Sequence, residues 1–199
     1  MALALVVCTA AAFAQPQAEP RSLLMFQFGL GDNAFSPEGY KTDAEMTRLF
    51  RQALANDKRF RVSLFSRSHP AVKRALAEGS ISAGVLWPPF TGKSRGRYTA
   101  LSLSALMRAD LAVAGVVESI QFDGEKKQSR LVASILIFDV KSRKLLGNVV
   151  LSAVGSGETE AAAATAAVAK YIEIVVPQVI AVLTARPKEK EPPAGGRYR

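Results

Sequence analysis

Residues 111–157 read LAVAGVVESIQFDGEKKQSRLVASILIFDVKSRKLLGNVVLSAVGSG, and this stretch decides the fold. Residues 111–122 form a long apolar run, and Asp123-Gly124 opens the connection that follows, a common hairpin signal. Residues 130–140 form a second strand, with Leu131, Ala133, Ile135 and Ile137 on one face. Residues 141–143 make a tight turn. Residues 145–154 form a third strand, with Leu145, Val149, Leu151 and Ala153 expected on a common side. Three successive strands joined by short turns make an antiparallel meander.

Working outward, Gly155-Ser156-Gly157 punctuates the chain, and a helix is expected from 159 to 183. Its inner stripe is Ala164, Val168, Ile172, Val175, Val179 and Val182 or Leu183. Lys170 and Glu173 break the apolar run, so the helix reads as amphipathic and not as a membrane span. Pro177 is expected to kink it. Upstream, 22–28 is a strand candidate, apolar at nearly every position except Gln27, the pattern of a strand covered on both faces. Thr42-Asp43-Ala44-Glu45 reads as a capping box opening a helix with Met46, Leu49, Phe50, Ala53 and Leu54 inward. Phe60, Val62 and Leu64 alternate with polar residues as a second strand. Ser68 is expected to cap a further helix, which Gly79 closes. Residues 100–107 form a short helix. The expected fold class is α/β (α+β). It has a five-stranded mixed sheet with a C-terminal antiparallel three-strand meander, packed by helices including a long C-terminal one.

The ends divide from this body. Residues 1–14 carry no charge, run apolar from Ala2 to Val7 and finish in Ala12-Phe13-Ala14, the pattern of a secretory signal peptide. Residues 15–21 read as a linker, 22–184 as a single domain, and 185–199 as a disordered basic tail. Cys8 is the only cysteine, so the mature chain is expected to have no disulfide. Leu5-Val6-Val7-Cys8 is a poor lipobox, because Val7 stands where a small residue is expected. The expected location is the periplasm or cell envelope.

The formal charge is +9, and all of the excess lies in 48–97. That stretch holds Arg48, Arg51, Lys58, Arg59, Arg61, Arg67, Lys73, Arg74, Lys93, Arg95 and Arg97 against Asp57 and Glu78. Such a bias favours an anionic partner. Within it, Trp87, Phe90 and Tyr98 interleave with Lys93, Arg95 and Arg97. Aromatic anchors beside arginine are what binding hot spots favour. With Arg59 and Arg61, these are the candidate partner-binding residues. The competing reading is that Trp87 and Phe90 plug the end of the core while the cations stay hydrated.

No catalytic constellation emerges. Thr91-Gly92-Lys93-Ser94 resembles the end of a phosphate-binding loop, but Trp87 stands where the first glycine belongs, and two prolines follow it. His69 is the single histidine and reads as a neighbour of the helix cap. One histidine and no mature cysteine leave no metal set, and no cofactor is expected.

The order of elements resembles the anticodon-binding-like α/β domain of bacterial envelope proteins. Its members include the N-terminal domain of the Tol-Pal translocation protein, the curli secretion channel lipoprotein and the lipoprotein activators of penicillin-binding proteins. Residues 109–119, opening on Ala109-Asp110 and passing through Gly115, look like that family's entry into the meander. Phe138-Asp139-Val140 with 141–145 looks like its second hairpin. The resemblance spans 22–184, and loops 29–42 and 80–98 are too short to supply the barrel hairpins of a curli-type channel. It implies a non-enzymatic binding or assembly protein standing as one domain, with an envelope protein or an anionic envelope polymer as partner. The alternative is a nucleic-acid-binding domain acting through 48–97.

Overall fold

The structure, a computed structural model, describes residues 19–90 and 95–185. The expected leader, the Thr91-Gly92-Lys93-Ser94 run and the C-terminal tail beyond 185 lie outside the described residues. Six strands form one mixed sheet. They are β1 (Arg21–Met25), β2 (Gly29–Leu30), β3 (Phe60–Leu64), β4 (Leu111–Asp123), β5 (Gln128–Asp139) and β6 (Lys144–Ser156). The order is β3-β1-β4-β5-β6, and β2 pairs with β4 beyond the end of β1. β1 is parallel to both β3 and β4, and β4, β5 and β6 are the antiparallel meander.

Four helices cover the sheet: α1 (Thr42–Ala55), α2 (Pro70–Ala77), α3 (Arg95–Leu106) and α4 (Glu160–Thr184). Side chains alternate across each strand, so the two faces bury separate cores. Leu23, Met25, Leu111, Val113, Ala133 and Ile135 meet α1 and α4 on one face. Leu24, Phe26, Ala112, Ala114 and Phe138 meet α2, α3 and the 3-10 turn Ala83–Leu86 on the other. By length and composition α4 is apolar enough to cross a membrane. It lies instead on the sheet, with Val168, Tyr171, Val175 and Val179 buried and the Tyr171 hydroxyl donating to the Ala133 carbonyl at 3.0 Å. Gly155 permits that seating, since a Cβ there would stand 2.0 Å from the Ala167 nitrogen.

Several local expectations are corrected. The apolar run 22–28 is not one strand. β1 ends at Met25 and a two-residue strand, β2, resumes at Gly29, giving six strands where five were expected. The Phe28 N–H is satisfied between them by the Thr47 hydroxyl at 3.0 Å. The capping box does not form. Thr42 lies inside the first turn with its hydroxyl buried and unpartnered, and its N–H donates to the Ser36 hydroxyl at 3.1 Å. Glu45 turns to Arg48 instead. His69, not Ser68, caps α2, its Nδ1 accepting from the Ala71 N–H at 3.3 Å. α3 starts at Arg95, five residues before the expected 100. The β5–β6 register shifts between Ile137 and Phe138, so Leu145 packs on the α3 face, away from Val149 and Leu151. Pro177, where a kink is expected, lies inside α4 on its exposed side, where water can serve the carbonyl left without a donor.

Candidate functional site

Two connections leave the carboxyl ends of β1 and β3, at 26–41 and 65–69, and the segment 82–90 that follows α2 packs beside them. In open α/β sheets this end is where loops gather around a ligand crevice. Phe65 continues β3, its N–H donating to the Met25 carbonyl at 2.8 Å. Its ring joins those of Phe26 and Phe90, with centroids 4.6–5.6 Å apart across the three pairs. This aromatic knot ends the core on the α3 face.

A groove of about 280 Å³ opens over the knot, lined by Gln27, Phe65, Ser66, Arg67, Leu86, Trp87, Pro88 and Phe90. Trp87 forms one wall and is 61% exposed. The Arg67 guanidinium lies over its ring, 3.6 Å from the centroid, a cation–π stack in which the cation keeps one face to solvent. Exposed Gln27 supplies an amide, and the Ser66 and Ser68 hydroxyls share a hydrogen bond of 2.7 Å. The backbone of the wall is fixed by proline: Pro88-Pro89 is a cis bond, and Pro89 packs so close to Gly29 that a Cβ there would meet its Cβ at 2.7 Å. The groove thus offers an apolar floor, one cation and several neutral hydrogen-bonding groups.

Four of the eight sequence-predicted residues have described side chains, and Trp87, Phe90, Arg59 and Arg61 stand in different places. Trp87 is in the groove and exposed. Phe90 is 2% exposed and belongs to the floor, so its ring is a core group and not a contact group. Arg59 directly precedes β3 and Arg61 is its second residue, both away from its carboxyl end. Arg59 is held by Asp57 at 2.6 Å and leans on the Phe60 ring, and its guanidinium holds the Asp57 carboxyl below the ordinary carboxylate range. Arg95, Arg97 and Tyr98 occupy the first turn of α3 by position, their side chains lying outside the described residues, as Lys93 does altogether. Arg67, Gln27 and Ser66 are the residues that sequence reasoning missed. Arg67 sits in Ser66-Arg67-Ser68, just past the alternating strand, and only the fold brings it to Trp87.

The most family-like motif turns out to be structural. The Asp110 carboxylate accepts from the Ser22 N–H at 2.8 Å and the Ser22 hydroxyl at 2.7 Å. It thereby ties the start of β4 to the start of β1. Those bonds hold its carboxyl below the usual range. Gly115 leaves room for the Phe28 ring, which would come within 2.2 Å of a Cβ. Among the described residues, no three His, Cys, Asp or Glu side chains stand together as a metal-binding group.

No family model matches the chain, and no curated protein matches it. Solved structures share its architecture. The hypothetical protein CT253 from Chlamydia trachomatis superposes with a TM-score of 0.57 at 13% identity, over 84% of this chain and 99% of that one. The LpoB C-terminal domain from Salmonella enterica gives 0.43 at 14% identity, over 70% and 86%. The lipoprotein GNA1162 from Neisseria meningitidis gives 0.46 at 13% identity, over 81% and 99%. At these identities the first shows a shared fold, and the other two are neighbours of weaker likeness.

Proposed function

We propose that this is a non-enzymatic binding protein of the cell envelope that holds an anionic partner, an acidic protein face or an acidic envelope polymer, in the groove beside Trp87. The observation that carries this reading is the Arg67–Trp87 stack: a large exposed aromatic paired with a guanidinium that has no carboxylate partner among the described residues, at the carboxyl ends of the parallel strands. Trp and Arg are the residue types on which binding energy concentrates. Arg95 and Arg97 fall in the first turn of α3 by position, and their charges belong to the basic bias of 48–97. The uncharged apolar leader 1–14 supports export.

The test uses the full chain and its single tryptophan. Trp87 emission is titrated with poly-glutamate and with polygalacturonate, and cross-linked partners are compared from an envelope fraction. Binding that shifts Trp87 emission, and is lost in Arg67→Glu and Trp87→Ala, is the expected result. Emission unmoved by either polyanion, with capture unchanged in Arg67→Glu, overturns the assignment. A nucleic-acid reading predicts instead a steep negative salt slope with duplex or single-stranded DNA.

A further inference from the structure

We propose that β6 is a homodimer edge: two copies of this chain pair β6 against β6 in antiparallel fashion about a two-fold axis at Val150, making one continuous sheet. The two edges of the sheet are built very differently. β3, at one end, has five residues and carries Arg59 and Arg61 at and beside its start, the short and charged construction that keeps edges from pairing. β6, at the other end, has 13 residues and is hydrogen-bonded only to β5 among the described residues. It has no proline, and no charged residue between Leu145 and Ser156. The register irregularity lies at its start, so 147–156 runs unbroken beside β5. About half of its backbone N–H and C=O groups face away from β5 and form a ready template for another strand.

The occupant is argued from the sequence of the edge itself, which is nearly palindromic about Val150. An antiparallel partner centred there sets Val150 against its own copy, Val149 against Leu151 of the second copy, and Asn148 against Ser152. Opposite residues in an antiparallel pair share a face, so apolar meets apolar under α4, while polar meets polar on the open face. Val150 is 55% exposed on that open face, and pairing with its copy would cover it. Charge agrees with the same axis. Exposed Lys141, Arg143 and Lys144 lie at one end of β6, and exposed Glu158 and Glu160 lie just past the other. The two-fold lays each basic end along the acidic end of the second copy. Lys127 already holds Glu158, but Glu160 has no partner among the described residues. Contact of this kind is isologous and closes at two copies.

The experiment is sedimentation equilibrium on the full chain and on Val150→Lys and Val150→Glu, alone and mixed. Val150 points into solvent, so both variants should keep the wild-type far-ultraviolet spectrum. Like charges at the axis should weaken the dimer about tenfold or more in each variant alone, and mixing the two should restore a dimer. Any of three results overturns the proposal. The wild type could be monomeric at every concentration, which would mean that the edge is covered within the chain or reserved for another partner. The dimer could survive both substitutions, or both could weaken it without rescue on mixing.

Discussion

Phe90 and Trp87, three residues apart, should separate stability from binding. The Phe90 ring is fully enclosed, with Phe26 at 4.6 Å and Phe65 at 5.6 Å between centroids. Truncation to alanine removes roughly 120–150 Å² of buried apolar surface, about 3 kcal/mol at ~25 cal/mol per Å². Two lost ring contacts and the cavity raise this to about 4 kcal/mol. For a domain of this size that lowers Tm by roughly 8–16 °C. Trp87→Ala removes a mostly solvated ring and one exposed cation–π stack, so its cost is about 1 kcal/mol or less. Thermal unfolding followed by far-ultraviolet circular dichroism measures both, because it does not depend on the tryptophan. In Phe90→Ala the emission of Trp87, the sole tryptophan, reports whether the loop has loosened before global melting. Equal costs for the two substitutions would refute the reasoning. The indole would then be a piece of the core, and the exposed stack with Arg67 would not describe the folded state in solution.

Gly155→Val should destabilise by about 3 kcal/mol or more, since its Cβ meets helix backbone that cannot yield without lifting α4; chemical denaturation measures it. Tyr171→Phe removes the donor to the Ala133 carbonyl inside the core and should cost about 1–2 kcal/mol in the same assay. That phenol is held well above its ordinary pKa by burial and by the Glu118 charge, so it should not ionise at moderately alkaline pH, and spectrophotometric titration of tyrosine checks this. Asp110→Asn should cost about 1 kcal/mol at neutral pH, discounted for the exposure of the group. The Asp110 carboxyl is lowered in the folded state, so its contribution is complete above the unfolded value of 3.8 and fades as pH falls through the folded value. Wild type and variant should therefore converge in stability in acid below that window, and a constant difference down to pH 2 would contradict the Ser22–Asp110 clamp.

How much of this was legible depends on how local each determinant is. The meander was readable because strand alternation, Asp123-Gly124 and the 141–143 turn are short-range signals. Asp123 shows why, accepting from the Glu125 and Lys126 N–H groups at 3.1 Å within its own turn. The stripe of α4 was readable for the same reason, and Thr159 caps it through the Ala162 N–H at 3.2 Å. The break in the first strand was not readable. Every residue of 22–28 but Ser22 and Gln27 is apolar, and where the chain leaves its ladder Thr47 of a distant helix offers an acceptor to the Phe28 N–H. The Thr42 capping box failed on similar ground. Ser36 already holds the Thr42 N–H, and Arg48 draws Glu45 away from the helix start.

The candidate site was half legible, and the missing half has a physical reason. Sequence proximity grouped Trp87 with Phe90 and with the cations after it, yet 87 and 90 point to opposite sides of one loop, solvent and core. The cation that does reach the indole comes from Arg67, twenty positions earlier, because β3 ends beside the loop that holds Trp87. The described cations of 48–97 therefore lie in different places. Arg59 and Arg61 stand at the β3 edge, where they discourage pairing, and Arg67 stands over Trp87 past the end of that strand. That division links the two proposals. A sheet with arginines at one edge and another edge that is long, uncharged from Leu145 to Ser156 and nearly palindromic suits the pairing proposed at β6. Pairing there leaves the groove of each copy, at the far side of the sheet, free for its partner.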